Sequence, residues 1–204
     1  MLYGCCVNLL PKTLDRIGLE YAGRLKRLGY DYIELPLNEP AQLSEQEFRD
    51  ARTVLEELDL PCRACNDFMP ARFQITGPDV TSRAELTDYL RRALERAAWL
   101  GVPYTVFGSP WSRSCPEHYS REAAFDQIAE FLSLAGEEAA PYQVVISIEH
   151  NNRGETNMLN TSPTGYGWPA RWTTPMSGSC ATTTTCGSRG TPPLSCWMEG
   201  ESCW

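Results

Sequence analysis

Apolar positions along the first three quarters of the chain alternate between two periods. Strand-like, mostly apolar runs occupy residues 3–7, 30–37, 61–66, 104–107 and 144–149, and between them apolar residues recur every three or four positions. The first pattern reads as short buried strands and the second as amphipathic helices. Ile17, Tyr21, Leu25 and Leu28 mark one helix, and Gly29 follows where a helix end favours a residue that tolerates positive φ. Ser44 with Glu47, and Ser82 with Glu85, have the spacing of capping boxes. The first opens a helix carrying Phe48, Ala51, Val54, Leu55 and Leu58. The second opens one carrying Leu86, Leu90, Ala93, Leu94 and Ala97, and it ends at Gly101. A further helix covers roughly residues 121–139, with Ala124, Ile128, Phe131 and Leu132 on one face. Val144, Val145, Ile146 and Ile148 form the β-branched run expected of a parallel strand covered on both faces.

Strands alternating with helices in this way predict a parallel sheet, either doubly wound or closed into a barrel. Glu34, Asn66, Ser109 and Glu149 each stand where a strand-like run stops. Four successive units would thus present polar groups on one rim, and the C-terminal rim of a (β/α)8 barrel is where its active sites are built. Any one of these residues is equally explained as an ordinary loop-facing polar group. No glycine-rich loop follows the first strand, which weakens a dinucleotide-binding fold. The expected fold class is therefore α/β, a (β/α)8 TIM barrel that is incomplete, with about five βα units where a closed barrel has eight.

Bulk properties narrow the function classes. The 204 residues are 42% hydrophobic and 22% charged, which suits one sizeable core. A net charge of -8 and no cluster of Lys and Arg argue against a nucleic-acid binder, because phosphate contacts need clustered positive charge. No stretch has the length and apolarity of a membrane span, and the N-terminus lacks a basic segment followed by an apolar run. A cytoplasmic protein without membrane association is expected. Of nine cysteines, Cys5, Cys6, Cys62 and Cys65 sit in strand-like runs. Cys62 and Cys65 have the spacing of a redox or zinc pair, but on a regular strand an offset of three puts them on opposite faces, so they read as small buried hydrophobes.

The run from Ile148 through Glu149, His150, Asn151, Asn152, Arg153, Gly154 and Glu155 to Thr156 and Asn157 resembles the motif after strand five of the sugar phosphate isomerase/epimerase family, of the tagatose 3-epimerase kind. There it reads Ile-Glu-Pro-Leu-Asn-Arg, one further residue, then Glu. Supporting matches are residues 29–34, Leu100 to Val102 and Val106 to Ser109, so the resemblance covers residues 3–161. His150 and Asn151 stand where the family has Pro and Leu.

The resemblance implies a metal-dependent, xylose isomerase-like barrel acting on a sugar or sugar phosphate. Its chemistry is proton transfer next to a carbonyl through an enediolate, assisted by one divalent ion, Mn or Mg. It implies Glu149 as a metal carboxylate that doubles as catalytic acid/base, and Glu155 as a glutamate contacting the sugar near its carbonyl end. Glu34, Asn66, Ser109 and Arg113 are lesser candidates for the substrate pocket. His118, in a polar loop, and His150 are weak metal-ligand candidates. An oligomer is compatible with the intact parent.

From Ser162 onward the composition breaks: there is no Val, Ile, Phe, Lys or Asp, Leu194 is the only aliphatic core former, and four of the six tryptophans fall here. Such a segment is not expected to form strands and helices around a core. The genetic code offers an account. Shifting the frame by one base after Thr161 forces Ala at 169 and Asp at 173, because Trp168 and Trp172 have a single codon ending in G. The same shift makes each of Thr182 to Thr185 an Asp, Asn, His or Tyr. The shifted stretch can read into Asp-Tyr-Tyr-His, the family's sixth strand with its second metal ligand, at an interval after Glu149 similar to the earlier strand spacings. Residues 1–161 are thus read as the N-terminal part of the barrel and 162–204 as an out-of-frame, disordered tail. The expected consequence is an unstable or aggregating chain that retains neither the metal nor activity. The rival readings are an endonuclease-IV-type repair barrel and a non-enzymatic binding protein whose tail is a partner segment.

Overall fold

A computed structural model describes residues 1–10, 16–160 and 180–183, the last four as backbone alone. The strands are β1 (Gly4–Cys6), β2 (Tyr32–Pro36), β3 (Cys62–Asn66), β4 (Tyr104–Phe107), β5 (Val145–Glu149) and β6 (Cys180–Thr183). The helices are α1 (Ala22–Arg27), α2 (Glu45–Glu57), α3 (Arg83–Trp99), α4 (Pro110–Arg113) and α5 (Arg121–Ala139). Every strand pairs in parallel with the next, in the order β1-β2-β3-β4-β5-β6. A doubly wound sheet reverses its strand order partway, whereas a barrel adds each strand beside the last. The unbroken order decides between the two architectures left open by the alternating pattern: the fold is TIM-barrel-like, with part of a barrel present.

Local chemistry sets the helix starts. Both capping boxes form: Ser44 Oγ accepts from the Glu47 N–H while Glu47 reaches back to the Ser44 N–H, and Ser82 and Glu85 do the same. The first helix is shorter than the apolar spacing implied. Gly18 sits at φ +84, and the chain passes through a 3-10 turn at Leu19–Tyr21 before α1 begins. Ile17 is nonetheless buried.

Strand register divides the sheet into two faces. Ile33 lies beside Cys62, Leu35 beside Cys65, Cys65 beside Thr105, Thr105 beside Ile146 and Phe107 beside Ile148. All are buried, and apart from Thr105 they belong to one core cluster with Leu90 and Leu94 of α3 and Ile128, Phe131 and Leu132 of α5. At the centre, Phe107 packs 5.2 Å from the Phe131 ring and 5.9 Å from Phe68. Glu34, Asn66 and Glu149, at alternate positions, take the inner face.

Two sequence expectations change here. Cys62 and Cys65 do not lie on opposite faces: the register slips between Ile33 and Glu34, whose partners are Cys62 and Ala64, so Arg63 is an extra residue in β3. That bulge resets the alternation and turns both cysteines into the same buried layer. Residues 180–183, expected to form no strand, run as β6 beside β5, with Glu149 opposite Thr183. β-branched threonines favour extended backbone, and this outweighs the segment's poor core-forming composition. The rest of the expected out-of-frame tail lies outside the described residues.

Candidate active site

The inner face at the C-terminal ends of the strands carries Cys6, Glu34, Asn66 and Glu149. Cys6 pairs in register with Glu34, Glu34 with Ala64, and Pro36 with Asn66, so β1, β2 and β3 bring the first three together. Asn66 donates from Nδ2 to Cys6 Sγ at 2.8 Å. Glu34 Oε1 and Asn66 Oδ1 are buried atoms with no hydrogen-bond partner among the described residues. Burial raises the Glu34 carboxyl above its ordinary range. It raises the Cys6 thiol too, against the lowering effect of bonds from Asn8 and Asn66. A carboxyl whose folded value exceeds its unfolded one penalises the fold once it must ionise, so stability is lost as pH rises through the folded value. Glu34→Gln should therefore stabilise the protein at pH 7, with the gain vanishing below about pH 4. Denaturant midpoints measured from acid to neutral pH test this, and a gain equal at every pH would contradict it.

Glu149 ends β5 on the far side of this face. Because Phe107 pairs with Ile148, the next residues, Gly108 and Glu149, lie side by side. A Cβ placed on Gly108 would fall on Glu149 Oε2 and lie 3.2 Å from its Cδ, so the carboxylate occupies the space a side chain at 108 would need.

Arg113 in α4 is buried, with 0% exposure. It donates from Nη1 to the Phe107 carbonyl at 3.0 Å and from Nη2 to the Glu149 carbonyl at 2.6 Å, and Nη2 also donates to Asn151 Oδ1. Its guanidinium lies 5.0 Å from the Phe107 ring centroid. Burial pushes its pKa down to about 10, opposed by the negative charge of Glu149 and Glu155, so it remains a cation at neutral pH. Arg113, Glu149 and Glu155 are thus brought within electrostatic reach of one another.

Glu155 is exposed, in a turn built by its own motif: Asn152 Oδ1 accepts from the Gly154 N–H at 2.8 Å, and Glu155 Oε2 accepts from the Asn152 N–H at 3.2 Å. Asn157 stitches this loop to the one after β4, accepting from the Cys115 N–H and donating to its carbonyl, both at 2.8 Å. Ser114 Oγ meets Thr156 Oγ1 at 2.9 Å in the same seam.

The structure therefore divides the residues singled out from sequence. Glu34, Asn66 and Glu149 line the inner face, and Glu155 lies on the adjoining loop. Ser109 is buried and accepts from the Met69 N–H at 2.9 Å, anchoring the loop after β3. Arg113 is likewise committed to the chain's own carbonyls and to Asn151. The His118 side chain is 91% exposed, far from a ligand's surroundings. Three residues emerge that sequence reasoning did not place in the site: Gly108, Asn151 and Asn157.

The sequence profile described as the xylose isomerase-like TIM barrel matches residues 22–166. The chain belongs to the xylose isomerase-like TIM barrel family. An L-ribulose 3-epimerase from Methylomonas sp. (strain DH-1) is 32% identical over 145 residues, 68% of this chain and 47% of that enzyme. Among solved structures, the chain resembles a D-allulose 3-epimerase from Methylomonas sp. in complex with D-allulose, at TM-score 0.63 and 25% identity, over 79% of this chain and 55% of that one. It also resembles a D-psicose 3-epimerase with D-tagatose from Clostridium cellulolyticum H10, at TM-score 0.65 and 15% identity, over 79% and 56% of the two chains. The chain thus spans about half the length of the xylose isomerase-like relatives it matches.

Divalent ions of the Mg and Mn kind want several oxygen or imidazole donors converging on one point. Among the described residues no group of three or more His, Cys, Asp or Glu converges in this way. Glu149 offers one carboxylate, so the described part of this xylose isomerase-like barrel does not fit an ion by itself. No helix among the described residues is long and apolar enough to cross a membrane.

Proposed function

We propose that this chain is the front section of a sugar isomerase or epimerase that moves a proton on the carbon next to a carbonyl, with Glu149 as one acid/base group and Glu155 contacting the sugar. The observation that carries the proposal is the Glu149 carboxylate on the inner face at the C-terminal end of β5, seated over Gly108, in a chain similar to 3-epimerases.

The chemistry sets what such a site must contain. A C–H beside a carbonyl is a weak acid, so a positioned carboxylate is effective only where the developing enediolate charge is also stabilised. In the intact parent a divalent ion, Mn or Mg, would supply that stabilisation, with Glu149 among its carboxylates. Inverting a stereocentre further requires that the proton leave one face of the carbon and return to the other, which takes two acid/base groups on opposite sides of the sugar. Glu149 is one such group. The described residues neither assemble a cation site nor place a second carboxylate across from it, so the 204-residue chain is proposed to be inactive.

The missing parts are proposed to be encoded in the shifted frame after Thr161. The composition break at Ser162 and the forced Ala and Asp residues support this. Resequencing the locus tests the frame: an inserted or deleted base near codon 161 is expected, and an intact single frame matching close relatives would refute it. Ketose epimerisation by the frame-restored chain with manganese tests the function, and no turnover with any ketose or ketose phosphate would refute it.

A further inference from the structure

We propose that Glu34, Asn38 and Asn66 form a subsite for the unreacting end of the substrate, one that takes a neutral, hydroxyl-bearing chain and turns a phosphorylated one away. Buried side-chain atoms without a hydrogen-bond partner among the described residues fall into two kinds. Thr105 Oγ1, Ser112 Oγ, Arg96 Nε and Arg113 Nε carry a hydrogen and can donate. The others, Glu34 Oε1, Asn38 Oδ1 and Asn66 Oδ1, are a carboxylate oxygen and two amide carbonyls, which accept. All three lie on β2, just after it, or at the end of β3. The amide nitrogens of both asparagines are spent inside the protein: Asn66 Nδ2 donates to Cys6 Sγ at 2.8 Å and Asn38 Nδ2 to Asp67 Oδ2 at 3.0 Å. Those bonds fix the amides and leave their oxygens unpaired.

A buried acceptor left unpaired costs a fold stability, so natural proteins keep few of them. Three at neighbouring strand ends, on the rim where barrel sites are built, point to a ligand that brings donors. Sugar hydroxyls donate. A phosphate group at neutral pH brings acceptor oxygens and close to two negative charges. Charge favours the same choice. Burial alone raises the Glu34 carboxyl, with no neighbouring cation among the described residues pulling it back. Its negative charge in turn helps to raise the Cys5, Cys6 and Cys65 thiols around it. A phosphate here would meet acceptors and a carboxylate, and would gain neither a hydrogen bond nor an ion pair. Glu149 lies across the inner face on β5, so a sugar with its carbonyl there would extend its far hydroxyls toward β2 and β3. Which end of the sugar lies here rests on the isomerase reading, while the preference for donors does not.

The test is a titration of the 204-residue chain with D-mannitol and with D-mannitol 1,6-bisphosphate, whose two ends are alike, so that neither can bind in reverse. The readout is the side-chain amide resonance of Asn66, assigned by its loss in Asn66→Ala. Mannitol should move it saturably at millimolar concentration, and the bisphosphate should bind at least about 10-fold more weakly, the loss expected when one hydrogen bond to a charged acceptor is forfeited. Glu34→Gln keeps the shape and an acceptor oxygen but removes the charge. It should weaken mannitol roughly 5–10-fold, because a neutral acceptor contributes less than a charged one, and narrow the gap between the two probes. An unmoved resonance, equal binding of both probes, or a Glu34→Gln chain that binds as the wild type does would each overturn the proposal. So would a shift produced by magnesium chloride and not by mannitol, which would make these oxygens a cation site. Mannitol has no carbonyl and cannot be epimerised, so the two readings fail separately. Turnover by the frame-restored chain without mannitol binding removes the subsite alone, and mannitol binding without turnover leaves it standing.

Discussion

Arg113→Met should destabilise the protein by roughly 3–5 kcal/mol, far more than a typical surface substitution. Methionine fills a similar length of apolar space, so the loss is not one of packing. It comes from three acceptors left without their donor: the Phe107 carbonyl, the Glu149 carbonyl and Asn151 Oδ1. Opposing this is the desolvation cost of a buried guanidinium, visible in its lowered pKa of about 10. Hydrogen bonds to a charged donor contribute about 1.5–3 kcal/mol each, so three of them outweigh the relief from removing one desolvated cation. Denaturant unfolding of the two proteins measures the difference. A loss under about 1 kcal/mol would mean that water takes over the three acceptors and that Arg113 is no clamp.

The largest effect on activity is expected at Glu149. In the frame-restored chain, Glu149→Gln keeps the size of the side chain and its place over Gly108 but removes the basic oxygen. A positioned acid/base group contributes about 10²–10⁴-fold, and kcat should fall by that factor or more. Because the amide still fits the space, folding should be unaffected, and a matching unfolding transition separates loss of chemistry from loss of structure. A kcat within a few-fold of the parent would remove Glu149 from the acid/base role.

How much of this was legible in the sequence depends on the range of the forces involved. The capping boxes at Ser44 and Ser82 are settled within four residues, and both form as read. The strand ends at Glu34, Asn66 and Glu149 follow from apolar runs that stop, and all three lie on one face. The alternating pattern could not choose between a doubly wound sheet and a barrel, since strand order is a relation between distant segments. The same limit hid the bulge at Arg63: alternation along β3 assumes a regular ladder, and the slip shows only in the pairing with β2.

Arg113 was misplaced for a related reason. From sequence it is a lesser candidate for the substrate pocket, and only the folded chain shows that two carbonyls and Asn151 converge on it. Asn151, noted as a departure from the family motif, turns out to supply one of those acceptors. Residues 180–183 exceeded expectation because strand propensity is local, while the composition argument concerned the ability to bury a core.

If the described residues hold only one side of a sugar-isomerising site, ketose epimerisation with manganese should proceed with the frame-restored chain and not with the 204-residue chain run beside it. Robust turnover by the 204-residue chain would mean that it carries the whole site.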